Sequence, residues 1–274
     1  MEFRTIVDIE DSGFRIGPCE KVLFVGSCFA TEMARRFEEE KYRTIANPFG
    51  VMYNPASVAH TVERMSHEEL SDVKTAFITL GTNHVYILKE TDEIVDNCEK
   101  RPASLFREDV LGVDDCVAYL VTTVARLHTA NPDMHIVLTV SPIRYRKYGY
   151  HGSQLSKATL QLAIEKLISE CSNLHASLTY FPAYEIVNDE LRDYRFYKED
   201  MLHPSDQAVA YIWQRLSDVY LSDEAKAFMK EWAPLKAVLN HRPFNPDSEE
   251  YRVLMDKTML KVAELQKKYP NFAV

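Results

Sequence analysis

Short apolar runs alternate along the chain with longer stretches in which apolar residues recur every three or four positions. That is the pattern of strands and covering helices in a mostly parallel α/β sheet. Lys21–Gly26 reads as a buried strand, and 30–41 as the helix after it, with Met33, Ala34 and Phe37 on one face. The runs 76–81, 135–140 and 178–181 have the same strand character, each bounded by a polar turn. Helical spacing over 114–130 and 156–171, the second opened by Ser156 as an N-cap, predicts crossover helices between them. Residues 85–88 and 94–95, joined by the polar 89–93, predict a small hairpin at the sheet edge. Past Leu221 come a helix over 222–232, a Pro-containing polar loop over 241–246 and a charged amphipathic helix over 248–269. The organisation expected is a layered α/β domain over 1–221 and a helical appendage over 222–274 packed on it.

Composition narrows the class. With 46% hydrophobic and 11% aromatic residues there is ample material for a core, which excludes disorder, collagen and a coiled coil. Charged positions interrupt every apolar run well short of the ~20 residues a membrane-crossing helix needs. Lys plus Arg is 32 against 41 Asp plus Glu, so the net charge is −9, which argues against nucleic acid as a partner. Residues 1–11 carry acids and no continuous apolar stretch, so they do not read as a secretory signal, and a cytoplasmic location is the expectation. Five cysteines, far apart and outside any Cys-x-x-Cys spacing, support neither a disulfide framework nor a zinc knuckle. They read as small buried hydrophobes. Nine histidines show no metal-ligand spacing, so no metal is expected.

Candidate chemistry gathers at strand ends. Gly26-Ser27-Cys28-Phe29-Ala30 lies where a buried strand gives way to a helix, at the carboxyl edge where parallel sheets bind ligands. There Ser27 is a candidate nucleophile, its open alternative being a simple helix cap, and Cys28 is expected to point into the core beneath the turn. Late in the chain, Asp200-Met201-Leu202-His203-Pro204 places a carboxylate within reach of the Nδ1–H of its own histidine, which fixes the tautomer and leaves Nε2 free to take a proton. Leu80-Gly81-Thr82-Asn83 and Asn47-Pro48-Phe49-Gly50 are candidate oxyanion loops. Arg144 and His151 fall in a polar stretch after the 135–140 strand and are candidates to bind substrate, while Asp193-Tyr194-Arg195 is a candidate to order the Asp200–His203 turn.

Gly-Ser-Cys-Phe-Ala, Asn47-Pro48-Phe49-Gly50, Leu80-Gly81-Thr82, Ser141-Pro142-Ile143-Arg144 and Asp193-Tyr194-Arg195-Phe196-Tyr197 ahead of Asp200-Met201-Leu202-His203-Pro204 together resemble the GSCFA domain family over about residues 20–220. That family is similar to the SGNH/GDSL hydrolases. The resemblance implies a three-layer flavodoxin-like α/β sheet, no cofactor, Ser27 as nucleophile, Asp200 and His203 as the rest of a triad, and an oxyanion hole from Ser27, Gly50 and Asn83. Two departures from the wider pattern stand out: Gly-Asp-Ser-Leu becomes Gly-Ser-Cys-Phe, and Gly-x-Asn-Asp becomes Gly81-Thr82-Asn83-His84.

The function these readings imply is a serine-dependent esterase or acyltransferase acting on a small acyl ester, such as acetyl on a saccharide or cell-wall precursor. The alternative from another class is a catalytically silent module that keeps the fold and binds in the cleft. The expected partner is a small-molecule or saccharide ester, with a homo-oligomer left open.

Overall fold

A computed structural model describes residues 3–171 and 177–273. The chain runs through β1 (Lys21–Gly26), α1 (Cys28–Glu39), β2 (Arg43–Ala46), α2 (Pro55–Arg64), the single turn α3 (His67–Leu70) and β3 (Thr75–Leu80). Next come β4 (His84–Leu88), β5 (Glu93–Val95), β6 (Phe106–Val110), α4 (Val113–Ala130), β7 (His135–Val140), α5 (Gly149–Glu170) and β8 (Leu178–Tyr180). It ends with the short α6 (Ala183–Glu185), α7 (Asp206–Tyr220), α8 (Asp223–Leu239) and α9 (Glu249–Lys268).

Five parallel strands lie side by side in the order β2-β1-β3-β7-β8. That is the doubly wound, flavodoxin-like order, and helices cover both faces as the sequence predicts. Alternation along the strands sets the layers. Leu23, Val25, Ile78 and Leu138 face a core closed by Val58 and Val62 of α2, Leu120 and Val124 of α4, and Leu160 and Ile164 of α5. Val22, Phe24, Phe77 and Val137 face the other way, onto Met33 and Phe37 of α1 and Ile212 and Leu216 of α7. Strands buried on both faces read as continuous apolar runs, which is why β1, β3 and β7 are visible in the sequence.

Three expectations change. The predicted edge hairpin is a separate antiparallel sheet in the order β5-β4-β6, because β6 pairs with β4 along its whole length. Its last four residues are exposed, so it carries no apolar run to announce it. Helix α1 begins two residues earlier than the periodicity suggests, at Cys28, with Ser27 as its cap. Helix α5 begins at Gly149 rather than 156, so His151 sits in a helix and not in a loop. Strand β2 and helix α2 were not anticipated: β2 is a half-buried edge of four residues, whereas Asn54-Pro55 is a cap-then-proline helix start that the sequence does carry.

Helices α8 and α9 form their own apolar cluster around Phe228, Trp232, Val262, Leu265, Tyr269 and Phe272, which also takes in Cys19. They are tied to the end of α1: Trp232 Nε1 donates to the Glu39 carbonyl at 2.8 Å, and Lys236 pairs with Glu40. Among the described residues no helix is long and apolar enough to cross a membrane.

Candidate active site

The strand order reverses between β1 and β3, and the segments leaving these neighbours form a crevice at the carboxyl edge. Gly26 closes β1 at φ 144°, and a Cβ there would stand 2.0 Å from the Thr79 carbonyl, so the turn accepts only glycine. The turn then places Ser27 against β3. Its N–H donates to the Thr79 carbonyl at 3.0 Å and its Oγ accepts from the Phe29 N–H at 3.3 Å. The residue is 1% exposed. Ser27 is therefore the cap of α1, and its N–H is not free to hold an oxyanion. Cys28, expected in the core, is instead half-buried at the first helical position, with its Sγ 3.6 Å from the Tyr53 hydroxyl. Burial and the neighbouring thiol push the Tyr53 phenol up to about 12, so at neutral pH it is protonated and available to donate. The Cys28 N–H, one of the orphan donors at a helix start, has no partner among the described residues.

The Asp200–His203 turn forms as its spacing suggests. Asp200 Oδ2 accepts from His203 Nδ1 at 2.6 Å, while Oδ1 accepts the N–H groups of Leu202 at 2.8 Å and His203 at 3.0 Å. Those two backbone donors, with the imidazole third, hold the carboxyl down at about 2, so Asp200 is ionised at any working pH. The turn is pinned on both sides: Lys198 N–H donates to the His203 carbonyl at 2.8 Å and Ser205 N–H to the Phe196 carbonyl at 2.7 Å. Arg144 supplies the third anchor. Its N–H donates to the Leu202 carbonyl and its Nη1 to the Met201 carbonyl, both at 3.1 Å, and its guanidinium lies over the rings of Tyr150 and Tyr197. Arg144 thus orders the histidine turn, the role expected of Asp193-Tyr194-Arg195. Arg195 instead faces Phe196 and Asp193.

His203 and Cys28 share the walls of one cavity of about 560 Å³, together with Tyr53, Asn54, Thr82, His84, Tyr86, Tyr145 and Tyr148. Segments 96–98 and 143–147 and Leu202 complete it. Ser27, Gly50, Asn83, Asp200 and His151 do not line it. Gly50 donates its N–H to the Asn47 carbonyl at 2.9 Å, which closes a turn. Asn83 is 3% exposed; its Nδ2 donates to the Leu111 carbonyl at 2.8 Å while its own carbonyl accepts from the Leu111 N–H. It staples the start of β4 to the end of β6. The N–H groups of Gly81 and Thr82 are also taken, both by the Tyr53 carbonyl at 2.8 Å. Fully buried Lys157 holds this loop from beneath, donating to the carbonyls of Gly81 at 2.6 Å and Ser141 at 2.8 Å. Desolvation lowers its ammonium to about 7.

Two donors that sequence reasoning missed remain in the cavity wall. Asn54 is 6% exposed and caps α2, its Oδ1 accepting from the Ser57 N–H at 2.9 Å and the Ser57 hydroxyl at 3.0 Å. Those contacts fix which end of the amide is oxygen, and they leave Nδ2 without a partner among the described residues. The Tyr145 hydroxyl is buried with no hydrogen-bond partner, and desolvation pushes its pKa far up, so it too stays protonated. The Asn54-Pro55 helix start could have drawn attention to Asn54; nothing in the local sequence singles out Tyr145.

Residues 21–75 and 65–216 match the GSCFA family, and 232–274 match a region described as "GSCFA domain protein, C-terminal domain". The chain belongs to the GSCFA family. No curated protein matches it. Among solved structures, this GSCFA chain is similar to a GDSL-like lipase from Bacteroides thetaiotaomicron, at 14% identity over 77% of this chain and 88% of that one, with a TM-score of 0.46. It is also similar to a carbohydrate esterase family 3 protein from Talaromyces cellulolyticus (10% identity, 73% of this chain, 95% of that one, TM-score 0.45). A third is a variant of an acetyl-xylooligosaccharide esterase from Geobacillus (12% identity, 77% and 98%, TM-score 0.46). Among the described residues no group of three or more His, Cys, Asp or Glu side chains is arranged to hold a metal ion.

Proposed function

We propose that this GSCFA protein transfers an acyl group from a small ester to water or to another hydroxyl, through a covalent intermediate formed at the first turn of α1. The observation that carries this reading is the Asp200–His203 pair, with Nδ1 fixed by the carboxylate and the imidazole on the wall of the same cavity as that turn. His203 Nε2 takes the proton of the nucleophile as it attacks the carbonyl carbon, then returns it to the departing alkoxide. Water or the acceptor hydroxyl repeats the cycle on the acyl-enzyme, again with Nε2 as base. The orphan Cys28 N–H at the helix start is placed to meet the charge that develops on the carbonyl oxygen.

The cavity volume suits a ligand of a few rings, and a wall that includes Tyr53, Tyr86, Tyr148 and His84 offers the aromatic surface and hydroxyls that suit a sugar. An acetylated saccharide is the first substrate to try. The test is a panel of acetyl, butyryl and longer acyl esters on simple alcohols and on saccharides, run with the wild-type chain and with His203→Ala. Turnover of short acyl esters that disappears in the variant supports the reading. No turnover across the panel, or turnover that survives His203→Ala, overturns it.

A further inference from the structure

We propose that the nucleophile is the thiol of Cys28, and that Asn54 Nδ2, the Tyr145 hydroxyl and the Cys28 N–H form its oxyanion hole. This rests on the acyl-transfer reading above and names the group that reading leaves open. Four observations meet at one place. Cys28 and His203 line the same cavity and Ser27 does not. The polar groups of Ser27 are engaged at the cap of α1, with its Oγ on the Phe29 N–H and its N–H on the Thr79 carbonyl. The Cys28 Sγ lies within hydrogen-bond reach of the Tyr53 hydroxyl, which can donate to a sulfur carrying negative charge. And the same wall holds two donors without a partner among the described residues, Nδ2 of Asn54, a residue 6% exposed, and the buried hydroxyl of half-buried Tyr145. A donor without a partner on a cavity wall is a place where a ligand atom can complete the bonding.

Register agrees with the geometry. If Gly26 is laid under the glycine of Gly-Asp-Ser-Leu, the residue under the serine is Cys28, one position into the helix, where its own N–H is free.

In the proposed sequence the Cys28 S–H proton passes to His203 Nε2 as sulfur bonds to the carbonyl carbon. The tetrahedral oxyanion collapses, the C–O bond of the ester breaks, and the alkoxide leaves with the proton from Nε2. A thioester remains on Cys28. Water or an acceptor hydroxyl then gives its proton to Nε2 and attacks, the C–S bond breaks, and sulfur recovers the proton. No redox partner or metal enters.

Two independent measurements test it. Iodoacetamide labelling of the intact protein at pH 7, with peptide mapping, reads the thiol without any acyl substrate. Cys28 should alkylate first of the five cysteines, and His203→Gln should slow that one site by about 10-fold or more, because general-base assistance is lost. In parallel, Cys28→Ala should abolish turnover of the best ester with the melting temperature unchanged, whereas Ser27→Ala should lower the melting temperature but keep turnover within about threefold of wild type. A fluorophosphonate adduct on Ser27, or turnover retained in Cys28→Ala and lost in Ser27→Ala, overturns the assignment. If no ester is turned over, but Cys28 alone labels rapidly in a His203-dependent way, the thiol assignment stands and the choice of substrate class falls.

Discussion

Two histidine–aspartate pairs are nearly identical as contacts and differ in what surrounds them. His203 Nδ1 meets Asp200 at 2.6 Å, and His60 Nδ1 meets Asp96 at 2.8 Å. Asp200 is held by the backbone of its own turn, so its orientation owes nothing to a second cation, and its histidine is on the cavity wall with Cys28. Asp96 is shared with Arg64 at 3.0 Å, so the pair clamps α2 to the strand-end segment after β5. That hydrogen bond raises the His60 pKa and favours its charged form, which suits an ion pair and not a proton acceptor. His60 faces a different, polar recess with Phe49, Glu99 and Arg101. The lesson is that a His–Asp distance carries no function by itself; what anchors the carboxylate and what the imidazole faces decide it.

The largest effect should come from His203→Ala, which removes the base in both half-reactions: ester turnover falls by on the order of 10³-fold or more, with the melting temperature nearly unchanged because the side chain is on the cavity wall. Loss of less than tenfold would put the two histidines on the same footing and break the contrast. Asp200→Asn comes next. With a carboxamide accepting the two backbone bonds the turn should keep its shape, while the tautomer preference and the stabilisation of the imidazolium are lost, lowering kcat by about 10²-fold to 10³-fold.

Asn54→Asp sharpens the account further, because aspartate is an equally good cap for α2 but cannot donate. We expect the melting temperature to hold and kcat to fall by about 10²-fold, as for other single oxyanion donors. An unaltered kcat would take Asn54 out of the hole. His60→Ala should leave turnover within about threefold of wild type. Its effect is on stability, and the sign follows from the raised pKa: the pair's contribution is full below the unfolded value of ~6.5 and fades as pH rises through the folded value. The melting-temperature difference between wild type and His60→Ala should therefore be about 2 °C in mildly acid buffer and smaller at about pH 8.5, since a partly exposed pair contributes ~1 kcal/mol at most. A difference that grows with pH would mean that Asp96 is not the partner that matters.

Much of this was legible in the sequence where the physics is local or where burial is complete. The strands β1, β3 and β7 announce themselves because both faces are covered, and the Asp200–His203 turn because its bonds close within four residues. The donors expected at Ser27, Gly50 and Asn83 are engaged within the fold for one reason. A backbone or amide donor near a strand end is available only if no other segment takes it, and here β3, the 47–50 turn and the carbonyl of Leu111 do so. Such competition is settled by tertiary packing. The one-residue phase of α1 decided the rest: periodicity fixed its apolar face, but the cap fixed whether Ser27 or Cys28 looks into the cavity. Arg144, a candidate to bind substrate on sequence grounds, lies on the cavity wall with its hydrogen bonds running to the histidine turn, contacts that depend on tertiary packing and leave no mark in the local sequence.

The central claim is a covalent acyl-enzyme on the thiol at the start of α1, relayed by His203. The most direct measurement is to mix the protein with the best short-chain ester, quench in acid within the first turnover, and map the acyl mass by peptide mass spectrometry with and without neutral hydroxylamine. One acyl group per chain is expected on Cys28, removed by hydroxylamine as a thioester and absent in His203→Ala. An acyl group on Ser27 that resists neutral hydroxylamine, or turnover with no acyl-enzyme at any quench time, would contradict it.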